Sequence, residues 1–96
     1  MSSTPTAAEF ENLPDHHLTL VHGDRRLTLK VIEVRRLPAH AYASDPFVVT
    51  LRDTGAMQSL PQGSYRYEHP ACGMLELFTV PVGPDGKGMA YEITFN

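Results

Sequence analysis

The sequence predicts a mainly β domain, a small antiparallel barrel or sandwich of about five or six strands with a short N-terminal helix. Several segments alternate apolar and polar residues with period two, as expected for strands that bury one face. Short turns rich in glycine and proline separate these segments, which favours antiparallel hairpins. A length of 96 residues suits one domain, which we assign to residues 6–96 after a flexible N-terminus at residues 1–5.

The helix is predicted from a capping signal near the start of the chain. Thr6 and Glu9 have the spacing of a capping box, in which the two side chains satisfy backbone amides at the beginning of a helix. Pro14 disfavours helical geometry at the residue before it, so the helix is predicted over residues 7–12. A helix this short is unstable alone in water, and it must pack on the sheet through Phe10.

A β-hairpin is predicted to follow the helix. Residues 17–21 and 26–35 both have strand character, and the turn between them contains Gly23. In the second strand the apolar residues change face near Val31, which indicates a bulge or sharp bend at that point.

The later strands are predicted at residues 47–52, 64–69 and 74–82, with a last strand after a glycine-rich hairpin loop at residues 83–88. Residues 74–82 form the most continuous apolar stretch of the chain, so this strand is predicted to be buried on both faces. The turn at residues 60–63 is predicted to hold Gly63 at a positive φ.

Composition argues against several classes of protein. The net charge of −3 lacks the strongly basic signature of a dedicated nucleic-acid binder. Cys72 is the only cysteine, so no intramolecular disulfide forms and a reducing, cytoplasmic location is expected. Neither a signal peptide nor an apolar run of the roughly 18 residues that a membrane-spanning helix needs is expected from the sequence.

Histidine and cysteine are the main candidates for catalysis or metal binding. His16, His17 and His22 cluster early, but neighbours in an extended chain point to opposite faces, so His16 and His17 cannot both join one site. His69 and Cys72 are three residues apart, yet no Cys-x-x-Cys pair accompanies them and no positive environment that would activate a thiol is indicated. We therefore predict no catalytic residue, no metal and no cofactor, and a protein that is not an enzyme.

Basic residues are concentrated in one segment. Five of the eight lie within twelve positions, namely Arg25, Arg26, Lys30, Arg35 and Arg36. If Arg26 and Lys30 share a strand face, with Arg36 beyond the bend, they form a stripe that could follow a phosphate backbone. Exposed aromatic residues for base stacking are not evident in the sequence. Residues 25–36 are thus the candidate surface for an alternative function in RNA binding.

A second hint concerns protein recognition. Tyr42, Val48, Met57 and Leu60 fall in or beside predicted loops or on an outer strand face. Apolar side chains outside the core mark interfaces when they form a patch. We expect a protein partner and no membrane, and association with a second copy would also suit so small a domain.

Three C-terminal signatures carry a resemblance to a known family. They are residues 60–65 (LPQGSY), 77–83 (LFTVPVG) and 91–96 (YEITFN). With the Phe10 helix and the Phe47 strand, they make the chain similar to the DUF6916 family of small bacterial domains. Members are often encoded beside proteins similar to phage tail-collar components, which implies an accessory or assembly role. The resemblance carries over no catalytic residue.

The leading functional prediction is a non-enzymatic module for protein binding or assembly, linked to phage-tail-like structures. The alternative is an RNA-binding domain that uses residues 25–36. A barrel with an N-terminal helix would resemble the Sm-like RNA-binding fold, although the sequence motifs of that fold are not visible here. Similarity of fold would not by itself establish RNA binding.

Overall fold

The computed structural model describes residues 5–38 and 45–96, whose strands close into an antiparallel barrel with the order β1-β2-β3-β6-β5-β4. The elements are α1 (Ala7–Glu11), a single 3₁₀ turn (Pro14–His16), β1 (His17–His22), β2 (Arg25–Arg36), β3 (Phe47–Thr54), β4 (Gly63–His69), β5 (Gly73–Pro84) and β6 (Gly88–Phe95). The predicted mainly β fold is confirmed, and of its two forms the chain adopts the barrel. Residues 1–4 of the predicted flexible N-terminus, and Tyr42, lie outside the described residues. None of the described helices is long and apolar enough to cross a membrane.

Helix α1 closes one end of the barrel. The Glu9 carboxylate accepts a hydrogen bond from the Thr6 backbone N–H at 2.8 Å, as the capping signal predicted. Phe10 is fully buried, and its ring centroid lies 6.0 Å from that of Phe47 and 5.2 Å from that of Phe95. The short helix is therefore held by aromatic packing against strand ends, which offsets its lack of intrinsic stability.

The core consists of alternate residues along each strand. The inward side chains that are almost completely buried include Leu18, Leu20, Leu29, Val49, Leu51, Tyr67, Tyr91 and Ile93. Each alternates with an outward neighbour, because successive side chains on a strand point to opposite faces. The interior of a barrel this narrow is filled by side chains and encloses no channel.

The predicted bulge in the second strand is confirmed. The register between β2 and β3 shifts between Val31 and Glu33, so Ile32 is the extra residue. Val34, beyond the bulge, packs against the core, whereas Ile32 is exposed. The bulge therefore returns apolar residues to the inside of a long strand that would otherwise turn them outward.

The prediction that residues 74–82 are buried on both faces is wrong. Thr79 is the only buried residue of β5, while Leu75 and Leu77 are half-buried and Met74 and Phe78 are exposed. A single-walled barrel has one interior, and its outer surface has no second layer of structure to cover it. The apolar run of β5 therefore supplies one row to the core and one row to the surface.

The prediction of a positive φ at Gly63 is also wrong. Gly63 is the first residue of β4, pairs with Thr79, and is not among the glycines in the left-handed region. A Cβ at this position would meet only the Tyr65 ring, at 4.0 Å, which is ordinary contact. The chain turns before Gly63 instead, and the Tyr65 hydroxyl donates a hydrogen bond to the Pro61 carbonyl at 2.6 Å across that turn.

Candidate functional site

An apolar row runs along the outer face of β5. Met74, Phe78 and Val82 are 53%, 52% and 50% exposed, and Val80 lies half-buried between the last two. Among the described residues, five large apolar side chains are exposed, and three of them are on this strand. Scattered apolar residues are normal on a surface, but a row on one strand is a feature of interaction sites. We define Met74, Phe78, Val80 and Val82 as the β5 surface.

Polar residues border the β5 surface on both sides. On β4, Glu68 lies opposite Met74 and Ser64 lies opposite Phe78, while Arg66 lies opposite Glu76. On β6, Glu92 lies opposite Val80. On β5 itself, Glu76 lies on the outer face between Met74 and Phe78, so the β5 surface is continuous only from Phe78 to Val82. Apolar side chains bordered by charged groups are the usual anatomy of a protein–protein contact.

The backbone of β5 changes partner half-way along the strand. Gly73–Thr79 pairs with β4, whereas Val80–Pro84 pairs with β6. Among the described residues, no strand pairs with Gly73–Thr79 on the side opposite β4. The end of β6 that would lie beside this edge, Ile93–Phe95, pairs with β3, and among the described residues it has no register with β5. The first half of β5 therefore has an unpaired edge, and its inward Leu75 and Leu77 are also only half-buried.

The basic segment predicted as an RNA surface is distributed along β2. Arg26 and Lys30 do share the outer face, because the residues next to them, Leu27 and Leu29, point inward. Beyond the bulge Arg35 lies opposite Val48 on the same outer face. These three residues therefore lie on one side of the strand.

Two cations of the segment are already paired with acidic side chains. Arg26 forms an ion pair with Glu68, and Arg36 forms one with Glu11 at 2.9 Å. Arg36 lies opposite the inward Phe47 and so does not belong to the outer row. The predicted stripe is thus shorter and less positive than the sequence indicates.

The His69–Cys72 region is a structural cluster. The buried His69 donates a hydrogen bond through Nε2 to the Glu9 carbonyl at 2.8 Å, and its Nδ1 accepts bonds from the backbone N–H groups of Ala71 and Cys72 at 3.0 and 3.2 Å. Both ring nitrogens are therefore occupied, and the neutral tautomer with hydrogen on Nε2 satisfies all three bonds. The imidazole fastens α1 to the turn between β4 and β5.

Electrostatics make Cys72 a poor nucleophile. Burial, and a hydrogen bond to the Glu9 carboxylate, raise the pKa of the Cys72 thiol. The pKa of Glu9 is lowered, mainly by its hydrogen bond from the Thr6 backbone and then by that from Cys72. A surface depression of about 400 Å³ adjoins Glu9 and His69, but a protonated thiol and a fully bonded imidazole offer neither nucleophile nor base.

The other histidines that the structure describes lie on the surface. His16, His17 and His22 are exposed. Within residues 5–38 and 45–96, no three histidine, cysteine or acidic side chains come close enough together to hold a metal ion.

Comparison with known proteins places the chain in a family. A profile described as a domain of unknown function, DUF6916, matches residues 5–95. The chain belongs to the DUF6916 family. No curated protein and no solved structure matches it. The resemblance carried by the three C-terminal signatures is thereby confirmed.

Three of the four apolar interface candidates of this DUF6916 domain, Met57, Leu60 and Val48, lie within the described residues, and they differ in exposure. Met57 is 88% exposed in the loop after β3, whereas Leu60 is half-buried and donates its N–H to the Tyr91 hydroxyl at 2.8 Å. Val48 lies on the outer strand face, opposite Arg35, as predicted, but it is buried and is therefore not an exposed apolar residue. The β5 surface was missed because its residues were assigned to the core. The sequence does contain one signal for this surface: Glu76 lies within the apolar run, and a charged residue there indicates that its face of the strand is exposed.

Proposed function

We propose that this DUF6916 domain is a non-enzymatic module that binds a protein partner through the β5 surface. The observation that carries the proposal is the row formed by Met74, Phe78 and Val82, each about half exposed on one strand. Covering a side chain of this kind contributes roughly 1 kcal/mol or more to association. Exposure of these three apolar side chains to water is unfavourable, and a bound partner that covers them removes this cost.

The same proposal accounts for the lack of reactive groups in the described residues. His69, Glu9 and Cys72 hold α1 against the barrel, and each uses its polar atoms in that task. Their arrangement supports an architectural role for the cluster. The free Cys72 thiol supports a reducing compartment, and we propose the cytoplasm.

The partner class follows from the family resemblance. Proteins similar to phage tail-collar components are expected beside members of this family, so structural proteins of tail-like assemblies are the partners we propose to test first. An apolar strip with a charged rim suits a contact with such a protein better than one with a small polar ligand.

RNA binding through β2 is the second proposal. The observation in its favour is that Lys30 lies directly opposite Arg52 on β3, which brings two cationic groups side by side on the outer face. Arg52 is engaged by Asp85 at 2.6 Å, so Lys30 and Arg35 are the cations we expect to matter. In the barrel order β2 lies three strands from β5 in either direction, so the two proposals use opposite sides of the molecule.

The experiment that tests these proposals is affinity capture of the tagged protein from a lysate of its host, with and without nuclease. Protein binding predicts a retained structural protein that nuclease does not release. RNA binding predicts co-purified RNA, an affinity that falls steeply with salt, and its loss in the double variant Lys30→Gln, Arg35→Gln. Retention of neither a protein nor RNA would contradict both proposals.

A further inference from the structure

The unpaired edge of β5 is unusual because its sequence protects it with a single charge. Proteins protect free strand edges with lysine, proline, bulges or a covering helix, since an open row of backbone N–H and C=O groups recruits other strands. The edge segment Gly73–Thr79 contains no lysine and no proline, and its register with β4 is regular. Its single charge is Glu76.

A second free edge in the same molecule shows the contrast. Among the described residues, β2 has no β1 partner beyond Lys30. There the chain has a bulge at Ile32, charged residues at Glu33 and Arg35, and α1 packed alongside with Glu11 paired to Arg36. The β2 edge therefore combines a bulge, several charges and a covering helix, whereas the β5 edge has only the charge of Glu76.

We infer that the occupant of the β5 edge is the β5 strand of a second copy of this chain, added antiparallel about a two-fold axis at Glu76. The inference rests on the proposed function and names a partner for the edge of the strand that carries the β5 surface. An extended strand is the one structure that satisfies an open row of alternating donors and acceptors. A two-fold axis makes the contact self-complementary and closed, so it ends at a dimer.

The register follows from the side chains. With the axis at Glu76, Met74 of each copy faces Phe78 of the other on the outer side, and Leu75 faces Leu77 on the inner side. A shift of two residues in either direction would place Glu76 opposite Phe78 or Met74. The axial register leaves two Glu76 side chains adjacent, and each has Arg66 directly opposite on β4 of its own copy. Across the dimer, from β4 of one copy to β4 of the other, the outward residues at this position are therefore Arg66, Glu76, Glu76 and Arg66.

Cross-linking tests this register directly. In a Cys72→Ala background, Glu76→Cys is expected to give a disulfide-linked dimer under mild oxidation, because directly opposed residues in an antiparallel pair have Cα atoms within disulfide range. Thr28→Cys, on the exposed outer face of β2, is the matched control and should remain monomeric. Equal cross-linking of the two variants would overturn the register.

Sedimentation over a wide concentration range tests the dimer itself. The wild type is expected to dimerise reversibly, Phe78→Ser to dimerise at least tenfold more weakly, and Ile32→Ser to match the wild type. Removal of the adjacent charges in Glu76→Gln should tighten the dimer about two- to fivefold. A wild type that stays monomeric at all concentrations would overturn the inference. If that monomer still binds another protein in a Phe78-dependent way, the proposed function stands and only the assignment to a second copy fails.

Discussion

Among the glycines, Gly88 is the one at which an added Cβ would be most crowded, because β6 begins there beside the end of β3. A Cβ there would lie 2.9 Å from both the Gly55 nitrogen and Thr54 Cα, closer than non-bonded atoms approach. These neighbours are backbone atoms and cannot rotate away. The sequence marks Gly88 only as one of several glycines in a loop, because close approach depends on strands that are distant along the chain.

Gly88→Ala is therefore expected to lower the free energy of unfolding by roughly 2–4 kcal/mol. Gly63→Ala is the matched control, because its Cβ meets only ordinary contact. It should leave stability unchanged or raise it by up to about 1 kcal/mol, since alanine reduces the entropy of the unfolded chain. Urea denaturation of the two variants measures the difference, and equal losses in both would contradict the structure at these positions.

Tyr67 gives a prediction for alkaline pH. Its fully buried hydroxyl lies 2.7 Å from the Thr79 hydroxyl, and burial raises the pKa of Tyr67 to about 12 from an ordinary value of 10.0. The fold favours the neutral phenol, so this contribution to stability is complete below pH 10 and is lost as the pH rises toward 12. The stability advantage of the wild type over Tyr67→Phe should shrink across this window.

Ultraviolet absorbance of the phenolate is the direct measurement for Tyr67. The wild type should show a tyrosine that titrates near pH 12, and Tyr67→Phe should lack that component. A titration curve that is the same in both proteins, apart from amplitude, would show that Tyr67 is not held in the neutral form.

At the scale of elements, the attachment of α1 depends on a contact that is distant in sequence. Its capping box and its length are predictable locally, from Thr6, Glu9 and Pro14. Its attachment through His69 is not, because 60 residues separate the Glu9 carbonyl from the imidazole that binds it. A histidine followed by proline gives no sequence signal that its ring will be buried and fully bonded.

Replacement of His69 tests that attachment. His69→Ala removes three hydrogen bonds and leaves a cavity beside Phe10, whose ring lies 5.2 Å from the imidazole. We expect a loss of roughly 2–4 kcal/mol, and faster hydrogen exchange in α1. His17→Ala, at an exposed position, should change stability by less than about 0.5 kcal/mol. Unchanged exchange in α1 of His69→Ala would contradict the attachment.

Strand β5 shows why alternation predicts the fold better than the surface. Period-two patterns in β1, β3 and β6 have one apolar row each, and the structure buries that row. In β5 both rows are apolar, and the same pattern fits a strand between two layers or a strand of a single-walled barrel. The sequence left barrel and sandwich open, so it also left open which face of β5 is covered.

At the scale of the whole molecule, the barrel separates two surfaces of different chemistry. β2 presents Lys30 and Arg35 on one side, and β5 presents its apolar row on the opposite side. The order of strands that creates this separation depends on long-range pairing, such as β1 with β4, which short turns do not specify. A surface formed in this way becomes visible only in the folded barrel.

The central claim is that the β5 surface is where this domain binds its partner. The most direct test compares the affinity of Phe78→Ser and Ile32→Ser for the purified protein that the wild type captures, because both remove an exposed apolar side chain and lie on opposite sides of the barrel. The account predicts at least tenfold weaker binding for Phe78→Ser, with Ile32→Ser within about twofold of the wild type. Equal affinities for the two variants, or a loss confined to Ile32→Ser, would contradict it.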